Sequence, residues 1–243
     1  MDIICPRDKG CHTSAVLAFC ALFFIQLCQA EPLSVGVEIT DYSPYYFLNQ
    51  GDYDGEARAL LDAFAAEQNL DLSYQPLPVP RLFLLFTRDQ LDLKFPDNPL
   101  WSPTLKSGLT VHYSDPVFDI TEAVMTLASN NEPVKTVGTI QGFTAPGISY
   151  QVTQGNLLMV EAATMEQLML MLQSGRIDAL YFNTRVAFNH ATHRTPALEL
   201  KVREEFHPYH YGYHLSSLKH PKLIEAFNQF LQRYRESQVS DSQ

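Results

Sequence analysis

The chain has 243 residues, which is enough for one large domain or for two modest lobes with apolar cores. Its 17 basic and 27 acidic residues give a net charge of −10 at pH 7, and no dense basic patch occurs along the chain. These features argue against nucleic acid as a partner and predict a soluble, self-repelling surface.

The first thirty residues have the layout of a secretory signal peptide. A short segment with two basic residues precedes an apolar run at 15–28, and a Cys-Gln-Ala sequence ends at Ala30. The pattern predicts cleavage after Ala30 and location in the periplasm. An uncleaved anchor is the alternative, but the run is short for a membrane span. The mature chain would contain no cysteine, because all four lie in this segment: Cys5, Cys11, Cys20 and Cys28.

The first half of the mature chain alternates strand and helix patterns. The predicted elements are a strand at 32–40, an aromatic proline turn at 41–47, a helix at 55–70, a strand at 71–77, a helix at 80–90 and a strand at 91–95. This order predicts a mainly parallel sheet with helices on both faces.

The same theme returns after a proline-rich connection at 96–108. The predicted elements are extended chain at 110–128, a strand and turn at 134–144, a strand at 159–164, a helix at 164–176, a strand at 177–182, a helix from 184 and a final helix at 221–237. Thr164 is the expected N-cap of the 164–176 helix, and Gly175 its stop. Two such units without a close sequence repeat predict two similar lobes.

Several stretches occur in an order that is typical of one family. They are LSVGVEITDYSPYYF (33–47), the helix, strand, helix and strand of 55–93, HYSDPVF (112–118), VGTIQGFT (137–144) and SGRIDALYFNTRVA (174–187). In this order they resemble the type II periplasmic solute-binding proteins, especially solute-binding family 3, whose members bind polar amino acids.

The resemblance implies an α/β fold of two lobes joined by two crossing strands, with a ligand cleft between them. Lobe 1 would be discontinuous, at 31–120 and 212–243, and lobe 2 would span 121–211. A solute would bind in the cleft, and the lobes would close over it by a hinge motion.

Both charged groups by which such proteins hold an amino acid are missing. No arginine follows the Asp-containing strand of lobe 1, where a guanidinium would grip the ligand carboxylate. Lys106 is the nearest basic residue, and a solvated loop lysine is its alternative interpretation. Asn183 stands where an acid would hold the ligand ammonium. It could equally be the N-cap of the helix that starts at Thr184, and the two roles are compatible.

Other expected ligand positions are occupied by suitable side chains. Tyr42 falls where an aromatic ring would stack on the ligand. Phe143 and Thr144 follow the turn of lobe 2 where backbone N–H groups and a hydroxyl would meet an anion. The cleft rim would carry Asp97, Asn98 and the only tryptophan, Trp101, which could alternatively serve as a lid against the other lobe.

Histidines concentrate near the C-terminal end of the chain, at His190, His193, His207, His210, His214 and His220. Their spacing matches no zinc pattern, so we predict a crossing strand beside the hinge and no metal or other cofactor. The sequence also contains none of the catalytic motifs that would indicate an enzyme.

These observations predict a monomeric periplasmic binding protein for a small polar solute that does not prefer free α-amino acids. Its partner would be an inner-membrane permease of an ABC-type importer. The alternative is a sensory binding module that uses the same cleft to signal to a membrane partner.

Overall fold

The computed structural model describes residues 31–240, with the side chains described as far as residue 238. The predicted signal peptide, its cleavage after Ala30 and the four cysteines lie outside the described residues. None of the described helices is long and apolar enough to cross a membrane.

The first half of the described chain forms one α/β lobe, called lobe 1 below. Its elements are β1 (Leu33–Glu38), β2 (Phe47–Asn49), β3 (Asp52–Asp54), α1 (Glu56–Gln68), β4 (Leu72–Leu77), α2 (Val79–Thr87) and β5 (Leu93–Asp97). β1 pairs in parallel with both β4 and β5, as the β-α-β order predicts. The β2–β3 hairpin was not predicted.

Two long strands connect this lobe to a second one. After β6 (His112–Tyr113), β7 (Phe118–Leu127) leads into lobe 2. Lobe 2 contains β8 (Thr136–Ile140), α3 (Ser149–Thr153), β9 (Leu158–Ala162), α4 (Met165–Gln173), β10 (Ala179–Asn183), α5 (Thr184–Thr192) and β11 (Leu200–Val202), with 3-10 turns at Pro146–Ile148 and Glu204–Phe206. The chain returns through β12 (Tyr209–Ser217) and ends in α6 (Pro221–Ser240).

Ten of the described strands, from both lobes, form one sheet, and β2 and β3 form a separate hairpin. Along the main path of this sheet the order is β4-β1-β5-β12-β7-β10-β8-β9, so β12 and β7 lie side by side at its centre. β12 pairs antiparallel with β5 of lobe 1, and β7 pairs antiparallel with β10 of lobe 2. This is the two-lobe architecture with two crossing strands that the sequence predicted. The lobe limits at 120/121 and 211/212 remain predictions.

The local signals at two helix starts are present as expected. The Thr164 hydroxyl accepts a hydrogen bond from the Gln167 N–H at 3.2 Å, and the chain leaves α4 through Gly175 at φ +71°. The Asn183 side chain accepts from the Val186 N–H at 3.1 Å and therefore caps α5.

α6 packs on lobe 1 through its apolar face. The ring of Phe227 lies 4.9 Å from that of Phe64 on α1, and the ring of Phe230 lies 5.5 Å from it. The burial of these rings packs α6 against α1 in the core of lobe 1.

Candidate functional site

A small cavity lies between the two lobes, and its volume of about 10 Å³ leaves room for about one water molecule. Lobe 1 contributes Glu38, Tyr46, Val79, Phe83 and Trp101, lobe 2 contributes Gly142, Phe143 and Thr144, and the crossing strands contribute Glu122 and Tyr213. This volume is far below the range of small-molecule pockets, so a solute would enter only after the lobes have moved apart.

Three of the residues singled out from the sequence, Trp101, Phe143 and Thr144, line this cavity. Tyr42 is completely buried beside it: its ring stacks on Tyr46 at 4.9 Å, and its hydroxyl lies 2.5 Å from that of Tyr213. The other four residues, Asp97, Asn98, Lys106 and Asn183, are buried but are not among the lining residues. Ligand contact by any of the eight remains a prediction.

Lys106 is buried, so its interpretation as a solvated loop lysine is wrong. Its ammonium donates to Asp97 Oδ1 at 2.7 Å, to the Asn98 carbonyl at 2.7 Å and to the Tyr113 hydroxyl at 2.9 Å. Burial lowers the pKa of Lys106 to about 8, although the charge of Asp97 opposes this shift. Because an ammonium has three N–H donors, all of them are already used within the protein.

A second buried lysine shares the same carboxylate. The Lys94 ammonium lies 3.2 Å from Asp97 Oδ1, donates to the Pro96 carbonyl at 2.6 Å and sits 4.1 Å from the centre of the Phe83 ring. Burial alone would raise the pKa of Asp97, but the charges of Lys94 and Lys106 and its hydrogen bonds hold it below the usual value. Asp97 is therefore the ionised centre of a buried ion triad.

The two amide side chains have structural partners. Asn98 donates to the Gly212 carbonyl at 2.9 Å and accepts from the Leu100 N–H at 2.9 Å, which ties the Trp101 loop to β12. Asn183 uses its Oδ1 atom to cap α5, and its buried Nδ2 atom has no hydrogen-bond partner among the described residues. Asn183 therefore has the capping role, while its amide nitrogen stays unpaired.

Sequence reasoning missed the two carboxyl groups of the cavity. The first, Glu38, ends β1 and is 2% exposed. Burial raises the pKa of Glu38 to about 7, although the Lys94 charge and a hydrogen bond from the Tyr46 hydroxyl, at 2.7 Å, act in the opposite direction. Near pH 7 the protonated and ionised forms of Glu38 are therefore both populated.

The second missed carboxyl group, Glu122, comes from the crossing strand β7 and is 4% exposed. Burial raises the pKa of Glu122 to about 7, and the hydroxyls of Tyr211 and Tyr181 oppose this shift. Tyr211 donates to Oε1 at 2.5 Å. The Tyr181 hydroxyl is close enough to lower the pKa of the group, yet no described residue makes a well-aligned hydrogen bond to Oε2. Glu122 is directly opposite Asn183 in the sheet, so both side chains are on the same face.

The C-terminal histidines do not converge. His210 Nδ1 is 2.9 Å from the Thr121 hydroxyl, and His214 Nδ1 is 2.7 Å from the Ser114 carbonyl. Within residues 31–240 no group of three or more potential metal ligands comes together.

Helix α5 of lobe 2 contacts lobe 1 beside the cavity. Arg185 makes a two-pronged ion pair with Glu56 at 2.6 and 2.9 Å. Further along α5, His190 Nε2 is 3.2 Å from the Asp41 carbonyl of lobe 1. These contacts hold the lobes in a closed arrangement, although exposed ion pairs contribute little individually.

The backbone of lobe 2 lies close to lobe 1 at Gly142. It has φ +83°, and a Cβ atom there would lie 3.0 Å from both Cδ and Cγ of Pro80. We expect Gly142→Ala to reduce solute affinity by hindering closure. Gly155→Ala is the matched control, because Gly155 has φ +72° but open space around it. Both variants carry similar backbone strain, of about 1 kcal/mol.

Small-angle X-ray scattering and thermal unfolding would compare the two alanine variants. Gly142→Ala should give the larger radius of gyration, whereas equal dimensions for both variants would show that this contact does not limit closure.

Two α/β lobes around a buried cavity, joined by two crossing strands, define the type II periplasmic-binding-protein fold. Neither the family models nor the curated proteins gave a match to this chain.

Solved structures share the fold over most of their length. An ancestral arginine-binding protein bound to arginine has a TM-score of 0.70 and 19% identity, covering 87% of this chain and 95% of its own. The arginine-, lysine-, histidine-binding protein ArtJ of Geobacillus stearothermophilus has a TM-score of 0.69 and 17% identity, covering 85% and 90%. The ancestral amino acid-binding protein AncCDT-1, a precursor of cyclohexadienyl dehydratase, has a TM-score of 0.68 and 19% identity, covering 87% and 92%.

Proposed function

We propose that this chain is a periplasmic solute-binding protein that captures a small polar solute by lobe closure and passes it, as a monomer, to an inner-membrane permease of an ABC-type importer. The observation that carries the proposal is the cavity, which is lined by both lobes and both crossing strands. Most of the structural neighbours are described as binding proteins, which supports capture as the activity.

We further propose that a free α-amino acid is not the preferred solute, because its carboxylate would lack a positively charged donor. The three N–H groups of Lys106 are used within the protein. The Phe143 N–H, at the turn of lobe 2, donates to the Ile140 carbonyl at 3.0 Å. No described lining residue is an arginine, lysine or histidine. A carboxylate buried without such partners loses its hydration at a large cost.

A thermal-shift screen over the common α-amino acids, sugars, organic acids and amines tests this proposal. A solute that binds the folded state raises the melting temperature by mass action, by several degrees at saturating concentration. We expect a shift from a solute outside the α-amino acids, confirmed by calorimetry. Tight calorimetric binding of an ordinary α-amino acid would contradict the exclusion, and the absence of a shift across all classes would contradict solute capture.

A further inference from the structure

The ionisable groups that line the cavity are acids and tyrosines. Glu38 enters from lobe 1 and Glu122 from β7, and among the described lining residues there is no basic side chain. The nearest ammonium groups, those of Lys94 and Lys106, are bound to the shared carboxylate of Asp97. Glu38 and Glu122 are therefore the lining side chains that can carry a charge near neutral pH, and that charge is negative.

One atom of the cavity lacks a partner that a cation would supply. Glu122 Oε1 receives the Tyr211 hydroxyl, but Oε2 is buried without a hydrogen bond from any described residue. An unpaired carboxyl oxygen in a buried site is costly. A cation that binds there supplies the missing donor and favours the ionised form of Glu122. An ammonium or guanidinium group is the donor that a carboxylate binds most strongly.

The rings around the cavity suit the same group. Tyr46, Phe143 and Tyr213 are lining residues, and the faces of aromatic rings attract cations. Phe83 already provides an example, because the Lys94 ammonium sits 4.1 Å from its ring centre.

We propose that the cavity binds a small organic cation with an amine or guanidinium group and no carboxylate, with Glu122 as its principal anchor and Glu38 as its second acid. This inference rests on the proposed solute-binding function and names the chemical class of the solute. The carboxylate is excluded by the engaged lysines, and the cation is selected by the unpaired oxygen of Glu122.

Calorimetry with matched pairs tests the inference, because the members of each pair differ only by a carboxylate. The pairs are arginine with agmatine, lysine with cadaverine and tyrosine with tyramine. We expect the amine to bind at least about tenfold more tightly in one pair or more. Phenylpropionate, a carboxylate without an amine, serves as a further probe. The inference is overturned if the amino acid binds more tightly than its amine in every pair, or if phenylpropionate binds more tightly than the amines. It is also overturned if no amine binds at about 10 mM.

The variant Glu122→Gln tests the anchor with the same amine. It removes the charge but keeps the size of the side chain, and we expect at least about tenfold weaker binding. Glu225→Gln is the matched control, since Glu225 is exposed on α6 and is not among the lining residues. Equal affinities for both variants would overturn the role of Glu122. If Glu122→Gln does not fold, Glu38→Gln provides the same comparison at the second acid, and a loss of less than about twofold there would overturn the inference.

The outcomes separate this inference from the proposed function. If a neutral sugar or an organic acid binds with lobe closure, the cation inference is wrong but the proposed solute-binding function stands. Free α-amino acids that bind more tightly than their amines in every pair would contradict both the cation inference and the exclusion of amino acids.

Discussion

Asp97→Ala is expected to lower the free energy of unfolding by about 3–5 kcal/mol, because it leaves two ammonium groups buried without their carboxylate. The Asp97 carboxylate is inaccessible to solvent and contacts Lys94 at 3.2 Å and Lys106 at 2.7 Å. It also accepts a hydrogen bond from the Ser216 hydroxyl on β12 at 2.7 Å. The variant therefore loosens β5, the Trp101 loop and a crossing strand together.

Chemical denaturation would measure this effect against a matched control. Asp62→Ala removes the same group from an ion pair with Arg58, in which Asp62 is 48% and Arg58 35% exposed, and from a hydrogen bond donated by the Tyr74 hydroxyl at 2.7 Å. Such a pair contributes about 0–1 kcal/mol, so the control should remain close to the wild type. A similar free energy of unfolding for both variants would show that the ion triad does not stabilise the lobe.

Stability should fall as the pH rises from about 4.5 to above 7, because of the two carboxyl groups of the cavity. Burial raises the pKa of both Glu38 and Glu122 from 4.5 to about 7. Between these values the folded state keeps protons that the unfolded chain has released, so each increase in pH favours unfolding. The loss amounts to about 3 kcal/mol for each group across the window.

The variants Glu38→Gln and Glu122→Gln should each flatten this pH dependence, since an amide does not titrate. Asp92 and Asp97 have lowered pKa values, so their contributions are lost at acidic pH, below this window. The melting temperatures of the wild type and of the amide variants should be similar at pH 5. At pH 8 the amide variants should melt several degrees higher, because ionisation of each carboxyl group costs the wild type about 3 kcal/mol. Parallel profiles for variants and wild type would show that these carboxyl groups are not proton-bound in the fold.

Much of the fold follows from short-range signals in the sequence. Alternating strand and helix patterns gave both β-α-β units, and Thr164, Gly175 and Asn183 mark helix ends through groups close to them in sequence. The β2–β3 hairpin was missed because strands of three residues are too short to show a period. Helix α3, with five residues, has the same difficulty.

The site was less predictable because its contacts lie within an irregular loop or join distant segments. Lys106 is bound by Asp97 of β5 and by Tyr113 of β6, which are only nine and seven residues away, but the loop between them has no regular period from which these contacts could be predicted. Glu122 accepts a hydrogen bond from the hydroxyl of Tyr211, which lies 89 residues further along the chain. An acid within the apolar run of β7 was the available signal, since a buried charge in a strand requires a partner.

The structure also sharpens the meaning of Asn183. The family resemblance implies an acid at this position, and the structure places Glu122 directly across the sheet from it. An anionic oxygen thus lies on the same face of the sheet, one strand away from the amide. We expect the acid at Glu122, in place of an acid at position 183, to preserve affinity for a cationic group.

The fluorescence of Trp101 offers the most direct test of the central claim that the cavity between the lobes is the binding site. Trp101 is the only tryptophan of the chain, lines the cavity and is 8% exposed. We predict a saturable change in its emission with each solute that raises the melting temperature, at the midpoint that calorimetry gives. A solute that binds by calorimetry and leaves the Trp101 emission unchanged throughout the titration would place the binding site elsewhere and contradict the account.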